Sequence, residues 1–151
     1  MKNAIAVLLA LALLGVAYGA TAGATGQVTI SSTCGISLSS GSLNFGSMNT
    51  GDTSADQNTT VTNDGSVSTD VTVSGTDWVN GTNSFDVGQS HYALSSGQDF
   101  DSGMTALDTV DQTFVNGLGN GASQDGFFKL RIPLGQTAGA YTQDITFTST
   151  C

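Results

Sequence analysis

Two cysteines, Cys34 and Cys151, stand near opposite ends of this chain, and each lies in a run that alternates apolar and polar side chains. From Gln27 to Leu38, the residues Val28, Ile30, Cys34, Ile36 and Leu38 fall at even positions, and Gln27, Thr29, Ser31, Thr33 and Ser37 fall at odd ones. From Tyr141 to Cys151, the residues Tyr141, Ile145, Phe147 and Cys151 share one parity and Thr142, Asp144, Thr146, Thr148 and Thr150 share the other. Alternation of this kind marks a half-buried strand. Both cysteines are therefore expected on apolar strand faces, where a Cys34–Cys151 bond ties the first strand to the last. In the chain-entropy description, closing so long a loop stabilises a fold by about 4–5 kcal/mol. A bond within one chain and a bond between two chains satisfy this pattern equally.

The N-terminus bears on where such a bond forms. Lys2 supplies a positive start, Ala4 to Val16 is a compact apolar run, and small residues follow at Ala17, Gly19, Ala20 and Ala22. This is the pattern of a secretory signal peptide, read over residues 1–19, with cleavage after Gly19 or after Ala22 both fitting. A retained anchor or a pilin-type helix is the rival reading, but the run is short of the roughly 20 residues a membrane span requires. No second apolar run reaches that length, so the mature chain is expected to be extracellular or at the cell surface, without a membrane span. An oxidising compartment suits a disulfide.

Charge excludes further classes. The formal net charge is −9, with three basic residues, Lys2, Lys129 and Arg131. Loss of Lys2 with the leader makes it −9 − 1 = −10. Nucleic acid is not an expected partner, because phosphate contacts need clustered Lys or Arg. All 12 acidic residues are Asp. With Gly, Thr, Ser and Asn abundant and the strong helix formers Glu, Lys and Arg scarce, the composition favours strands and turns.

The rest of the chain supports an all-β reading. Gly35 divides the first strand into an outer half, Gln27–Thr33, and an inner half, Ile36–Leu38. Leu43, Phe45 and Met48 are expected to point inward from a second strand. Thr59–Asn63 and Val67–Val73 alternate around Asn63-Asp64-Gly65-Ser66, which predicts a β-hairpin, since Asp-Gly tolerates the positive φ of tight turns. Trp78 reads as a core or rim plug rather than an exposed platform. His91–Leu94 is a short strand. Ser95–Ser123 is a long packed excursion with one strand near Gln112–Val115, and Phe128, Leu130 and Ile132 mark a strand ended by Pro133. Seven to nine short strands separated by turns predict an antiparallel, immunoglobulin-like β-sandwich over residues 34–151, preceded by an extension over residues 20–33.

Candidate chemistry is sparse. With one histidine, His91, no glutamate and no Gly-x-Ser-x-Gly element, nothing fixes nucleophile, base and orienter together, and the chain is not expected to be an enzyme. Zinc is equally unsupported, and no cofactor is expected apart from Ca2+. Asp99 and Asp101 stand two residues apart in a Gly- and Ser-containing loop, followed by Asp108 and Asp111. Hard oxygen ligands on a loop suit calcium, although no glutamate closes the set. Two glycosylation sequons occur, at Asn58 and Asn80.

The stretches Leu43-Asn44-Phe45-Gly46, Gly51-Asp52, Val61-Thr62-Asn63-Asp64-Gly65 and Val71–Gly75 resemble the opening of secreted prokaryotic β-sandwich domains. Ile132-Pro133-Leu134-Gly135, Ala138–Thr142 and Ile145–Phe147 are similar to their close. Archaeal bundling pilins and the TasA/camelysin-type matrix fibre proteins share this pattern. The resemblance covers about half of the mature chain and its motifs are structural. It implies a filament or pilus subunit that self-associates by donor-strand complementation in adhesion or biofilm, with Gln27, Val28, Thr29 and Ile30 as the donor strand. Pairing of that strand within its own domain is the competing expectation. The rival function is a monomeric surface module that binds glycans or calcium through Trp78, Tyr92 and the Asp99–Asp111 loop.

Overall fold

The computed structural model describes residues 25–151. The leader read over residues 1–19 and the first part of the extension, 20–24, lie outside the described residues. The chain divides after Ile30 into two units. Thr25–Ile30 of the first unit forms no strand, and Val28 and Ile30 are 82% and 85% exposed. The second unit, Ser31–Cys151, carries all the regular structure described below. Among the described residues no helix is long and apolar enough to cross a membrane.

The protein is all-β, with ten strands in three antiparallel sheets among the described residues. The strands are β1 (Ile36–Leu38), β2 (Gln57–Asn63), β3 (Thr69–Gly75), β4 (Trp78–Asn80), β5 (Asn83–Phe85), β6 (Ser90–Ala93), β7 (Thr105–Ala106), β8 (Gln112–Leu118), β9 (Ser123–Leu130) and β10 (Ile145–Thr150). A five-stranded sheet runs β1-β2-β9-β6-β7, a three-stranded sheet runs β10-β3-β8, and β4 and β5 form a small hairpin. The count exceeds the expected seven to nine because several elements are only two or three residues long.

The longer strands form where the sequence alternates. In β2 the residues Thr59, Val61 and Asn63 are buried while Asn58 is exposed, and in β3 Thr69, Val71 and Val73 are buried. These inward residues meet Tyr92, Phe114, Leu118 and Phe128 in one core between the two larger sheets. Phe147 from β10 packs edge-on to both Phe114 and Phe128, at centroid distances of 5.1 and 6.2 Å. A second apolar cluster holds Trp78, Phe85 and Leu130, with Phe45, Met48, Ile132 and Tyr141 against it.

Three sequence expectations change. First, the hairpin expected around Asp64-Gly65 does not form: β2 pairs with β1 and β9, whereas β3 pairs with β8 and β10, so Asp64–Ser68 crosses from one sheet to the other. Gly65 does not take positive φ. It is small because a Cβ there would collide with the Thr33 carbonyl. The crossing is held instead by Asn63, fully buried, whose side-chain amide donates to the Val67 and Leu118 carbonyls and whose Oδ1 accepts from Gly65 N–H at 2.8 Å. Satisfying every polar atom of a buried amide removes the cost of its desolvation. Second, the first strand is shorter than its alternation, since only Ile36–Leu38 finds a partner and Gln27–Gly35 has no ladder. Third, Leu43–Met48 forms no strand, although Leu43 and Phe45 are half-buried and Asn44 and Gly46 exposed, as alternation requires; the pattern breaks at Ser47, exposed, and Met48, half-buried.

Candidate functional site

Cys34 and Cys151 form an intrachain disulfide, with Cα atoms 6.0 Å apart and a sequence separation of 117. The bond joins the residue after Thr33 to the end of β10. Both cysteines are exposed, so the bond lies on the surface and not on the apolar faces that alternation implied. Its surroundings are local and polar. Thr33 N–H donates to Ser66 Oγ at 2.9 Å, Ser66 N–H donates to the Thr33 carbonyl at 2.9 Å, and Asp64 N–H donates to the Gly35 carbonyl at 3.0 Å. These contacts extend the β1–β2 pairing past its last ladder residue and bring the chain to Cys151.

Toward the N-terminal end of β10, away from this bond, the two large sheets leave a gap between them. β10 is the edge of its sheet, pairing with β3 alone from Ile145↔Gly75 to Thr150↔Asp70. Upstream, Thr142 makes an isolated antiparallel bridge to Val79. Opposite this edge, Ser39–Thr50 contains no strand. A cleft opens between the two walls in two joined parts. One, about 340 Å³, lies among Leu38, Leu43, Phe45, Ile145 and Phe147. The other, about 770 Å³, is floored by Phe45, Met48, Trp78, Leu130, Ile132 and Tyr141. Phe45, Trp78 and Tyr141 border both parts.

Lys and Arg are missing from the lining of both parts, and the one acid among the lining residues is Asp144. The floor is rigid. Trp78, 8% exposed, stacks on Phe85 at 5.8 Å and 12° and meets Phe45 edge-on at 5.8 Å. Its indole N–H donates to Ser90 Oγ at 2.8 Å, and Ser90 Oγ donates to Gln143 Oε1 at 2.9 Å. Gln143 Nε2 in turn donates to the Thr76 carbonyl at 2.7 Å, so the floor and the β10 wall share one hydrogen-bonded relay. The sequence singled out Trp78 only as a plug, and the cleft itself carries no local signal because its walls are about ninety residues apart in the chain.

The other candidate residues are scattered. Among the described residues no three His, Cys, Asp or Glu side chains converge as a metal site would require. Asp99 accepts from Asp101 N–H at 2.9 Å and Asp108 accepts from Val110 N–H at 3.3 Å, each stabilising its own turn. Asp101 forms a bidentate pair with Arg131 at 2.7 and 2.9 Å, and the guanidinium also lies 4.2 Å over the Phe100 ring. The hydrogen bond from Arg131 holds the Asp101 carboxyl below its ordinary range and raises the guanidinium in return. Asp111 is exposed and precedes β8. Tyr92 is buried, its hydroxyl donates to the Thr113 carbonyl at 3.1 Å, and burial raises its phenol above the usual value. Neither Trp78 nor Tyr92 therefore offers an open ring face to a sugar.

His91 stacks on Phe100 at 3.8 Å, with Nδ1 2.9 Å from the Phe100 carbonyl. That contact makes Nδ1 the protonated nitrogen of the neutral ring. Of the two sequons, Asn58 is exposed on β2, while its Thr60 hydroxyl donates to Asp125 at 2.6 Å. Asn80 ends β4, and its side-chain amide lies where any Cβ on Gly139 would sit, so its nitrogen is hemmed in. Gln27, Val28, Thr29 and Ile30 lie in the N-terminal unit and form no strand. No protein-family model matches the chain, and no curated protein matches it.

Proposed function

We propose that the protein is a secreted structural subunit that polymerises into an extracellular filament by strand exchange, the Gln27–Ile30 segment of one copy entering the cleft of the next. The observation that carries this reading is a cleft with the β10 sheet edge along one side and the strandless Ser39–Thr50 along the other, in a chain whose Gln27–Ile30 segment has alternate, exposed apolar side chains. An unpaired sheet edge is a template for an added strand, with main-chain hydrogen bonds giving affinity and alternate side chains giving specificity. Val28 and Ile30 supply those side chains, and Thr25–Ile30 carries no charge. Two copies that each carry a formal charge of −9 − 1 = −10 once Lys2 is lost with the leader repel one another, so an uncharged segment entering a lining with one acid is the contact they can make most readily. A surface disulfide suits the oxidising exterior of a cell. The packing of the two larger sheets is consistent with an immunoglobulin-like sandwich that lacks one strand.

Electron microscopy of the mature protein beside a variant lacking residues 20–32 tests the reading. Filaments from the full chain and none from the variant are expected. Monomers from both would sink it.

A further inference from the structure

The extension and the acceptor edge, far apart in sequence, are covalently joined. Cys34 follows the extension by a few residues, and Cys151 follows directly on Thr150, the last residue of β10, the wall of the cleft. We propose, resting on the strand-exchange reading, that the Cys34–Cys151 bond is the path by which tension crosses each subunit, from its own extension directly into the strand that grips its neighbour's.

The directions of the chain support this. β1 starts beside Asn63 and the chain from Ile36 to Met48 leads away from the disulfide. β10 runs the other way, from Ile145 beside Gly75 to Thr150 beside Asp70, and ends at the disulfide. The domain begins at Ser31, three residues before Cys34, and therefore at this disulfide pole. If the extension entered a neighbour's cleft at the neighbour's disulfide pole, the two copies could exchange reciprocally and close as a dimer. An open polymer needs entry from the opposite pole, past Met48 and Ile132, with the exchanged strand antiparallel to β10. Tension along such a polymer pulls the inserted strand out toward one pole and pulls Cys34 toward the other. Through the disulfide that second pull arrives at the C-terminal end of β10. β10 and the inserted strand then slide against each other with all their cross-strand hydrogen bonds loaded together.

Without the bond, the pull on Cys34 passes instead into β1, which is held by a register of only Ile36↔Asn63, Ser37↔Thr62 and Leu38↔Val61. Loaded along its own axis, this edge strand has three register pairs to bear the pull where β10 has six, so it gives way first and the domain unravels behind it. The 117-residue interval between the cysteines sets how much chain can be paid out, about 400 Å at full extension.

Stretching single assembled filaments by atomic force microscopy, before and after reduction with a soluble phosphine, tests the inference. Oxidised filaments are expected to rupture without prior lengthening, and reduced ones to lengthen in steps of up to about 400 Å per subunit before they part. A Cys34→Ser/Cys151→Ser filament should behave like the reduced one, and reduction of preassembled filaments covers the case in which that variant does not fold. Reduced filaments that part with no lengthening would overturn the tension path while leaving strand exchange intact. Absence of filaments from the wild-type chain would overturn both.

Discussion

Val61, Val71, Val73 and Phe128 are wholly enclosed between the two larger sheets, whereas Leu43, Phe45, Met48 and Tyr141 are only half covered along the cleft. Both groups are apolar and both come from alternating sequence. What separates them is a partner: β2, β3 and β9 each have a strand on either side, while Leu43–Met48 has none and β10 has one. Inward-facing side chains thus establish that a segment lies against a core, and a ladder requires in addition that a neighbouring backbone be present.

The widest gap between the two regions should appear on weakening what holds the open one. The Cys34→Ser/Cys151→Ser variant is expected to lose about 4–5 kcal/mol in urea unfolding, because the unfolded chain regains the entropy of a loop with a sequence separation of 117. A loss near zero would mean that the unfolded chain is already as constrained without the bond. Next, Phe128→Ala should cost about 3–5 kcal/mol, as expected for a large side chain removed from a closed core. Phe45→Ala should cost about 1–2 kcal/mol, since its site is already partly open, yet it should abolish filaments under the electron microscope. Equal costs at the two positions would erase the distinction drawn above.

Smaller effects come from titration. Burial in the closed core raises the Tyr92 phenol, so the folded state keeps this proton after the unfolded chain has lost it. Stability should therefore fall as pH rises beyond about 10, and Tyr92→Phe should flatten that fall in urea titrations. Asp101 has the opposite sign. Its carboxyl is lowered by Arg131, so the benefit is fully present above the ordinary carboxyl value of about 3.9 and is lost as pH falls through the folded value. The pair is exposed, so Asp101→Asn should remove only a slight acid dependence of the urea midpoint.

The sequence made the all-β class legible because alternation in β2, β3, β9 and β10 is a local property that survives into the fold. It also placed Cys34 against Cys151, since two cysteines admit one intrachain pairing. It misread Asp64-Gly65, because the same dipeptide serves a tight hairpin or a close backbone approach, and the Thr33 carbonyl that decides between them lies about thirty residues away. A tight hairpin turn forms instead at Gly81-Thr82, where Gly81 has φ 59°. The strand expected over Leu43–Met48 failed for want of a partner, since its pattern holds from Leu43 to Gly46. Nothing local announced the cleft, which exists only once the segments around Leu43 and Ile145 face each other.

The pairing of Lys129 with Asp56 at 3.5 Å and of Arg131 with Asp101 at 2.7 Å has a consequence for proteolysis. Apart from Lys2, these are the only residues at which trypsin can cut. One ends in β9 beneath a salt bridge, and the other is bridged to Thr53 and clamped by its aspartate. The native protein should pass through trypsin intact. Even after forced cleavage, the long piece ending at Lys129 and the tail beginning at Ile132 remain one molecule, because Cys34 and Cys151 lie on opposite sides of the cut. On a non-reducing gel the nicked chain would stay a single band, and the break would show only once a thiol is added.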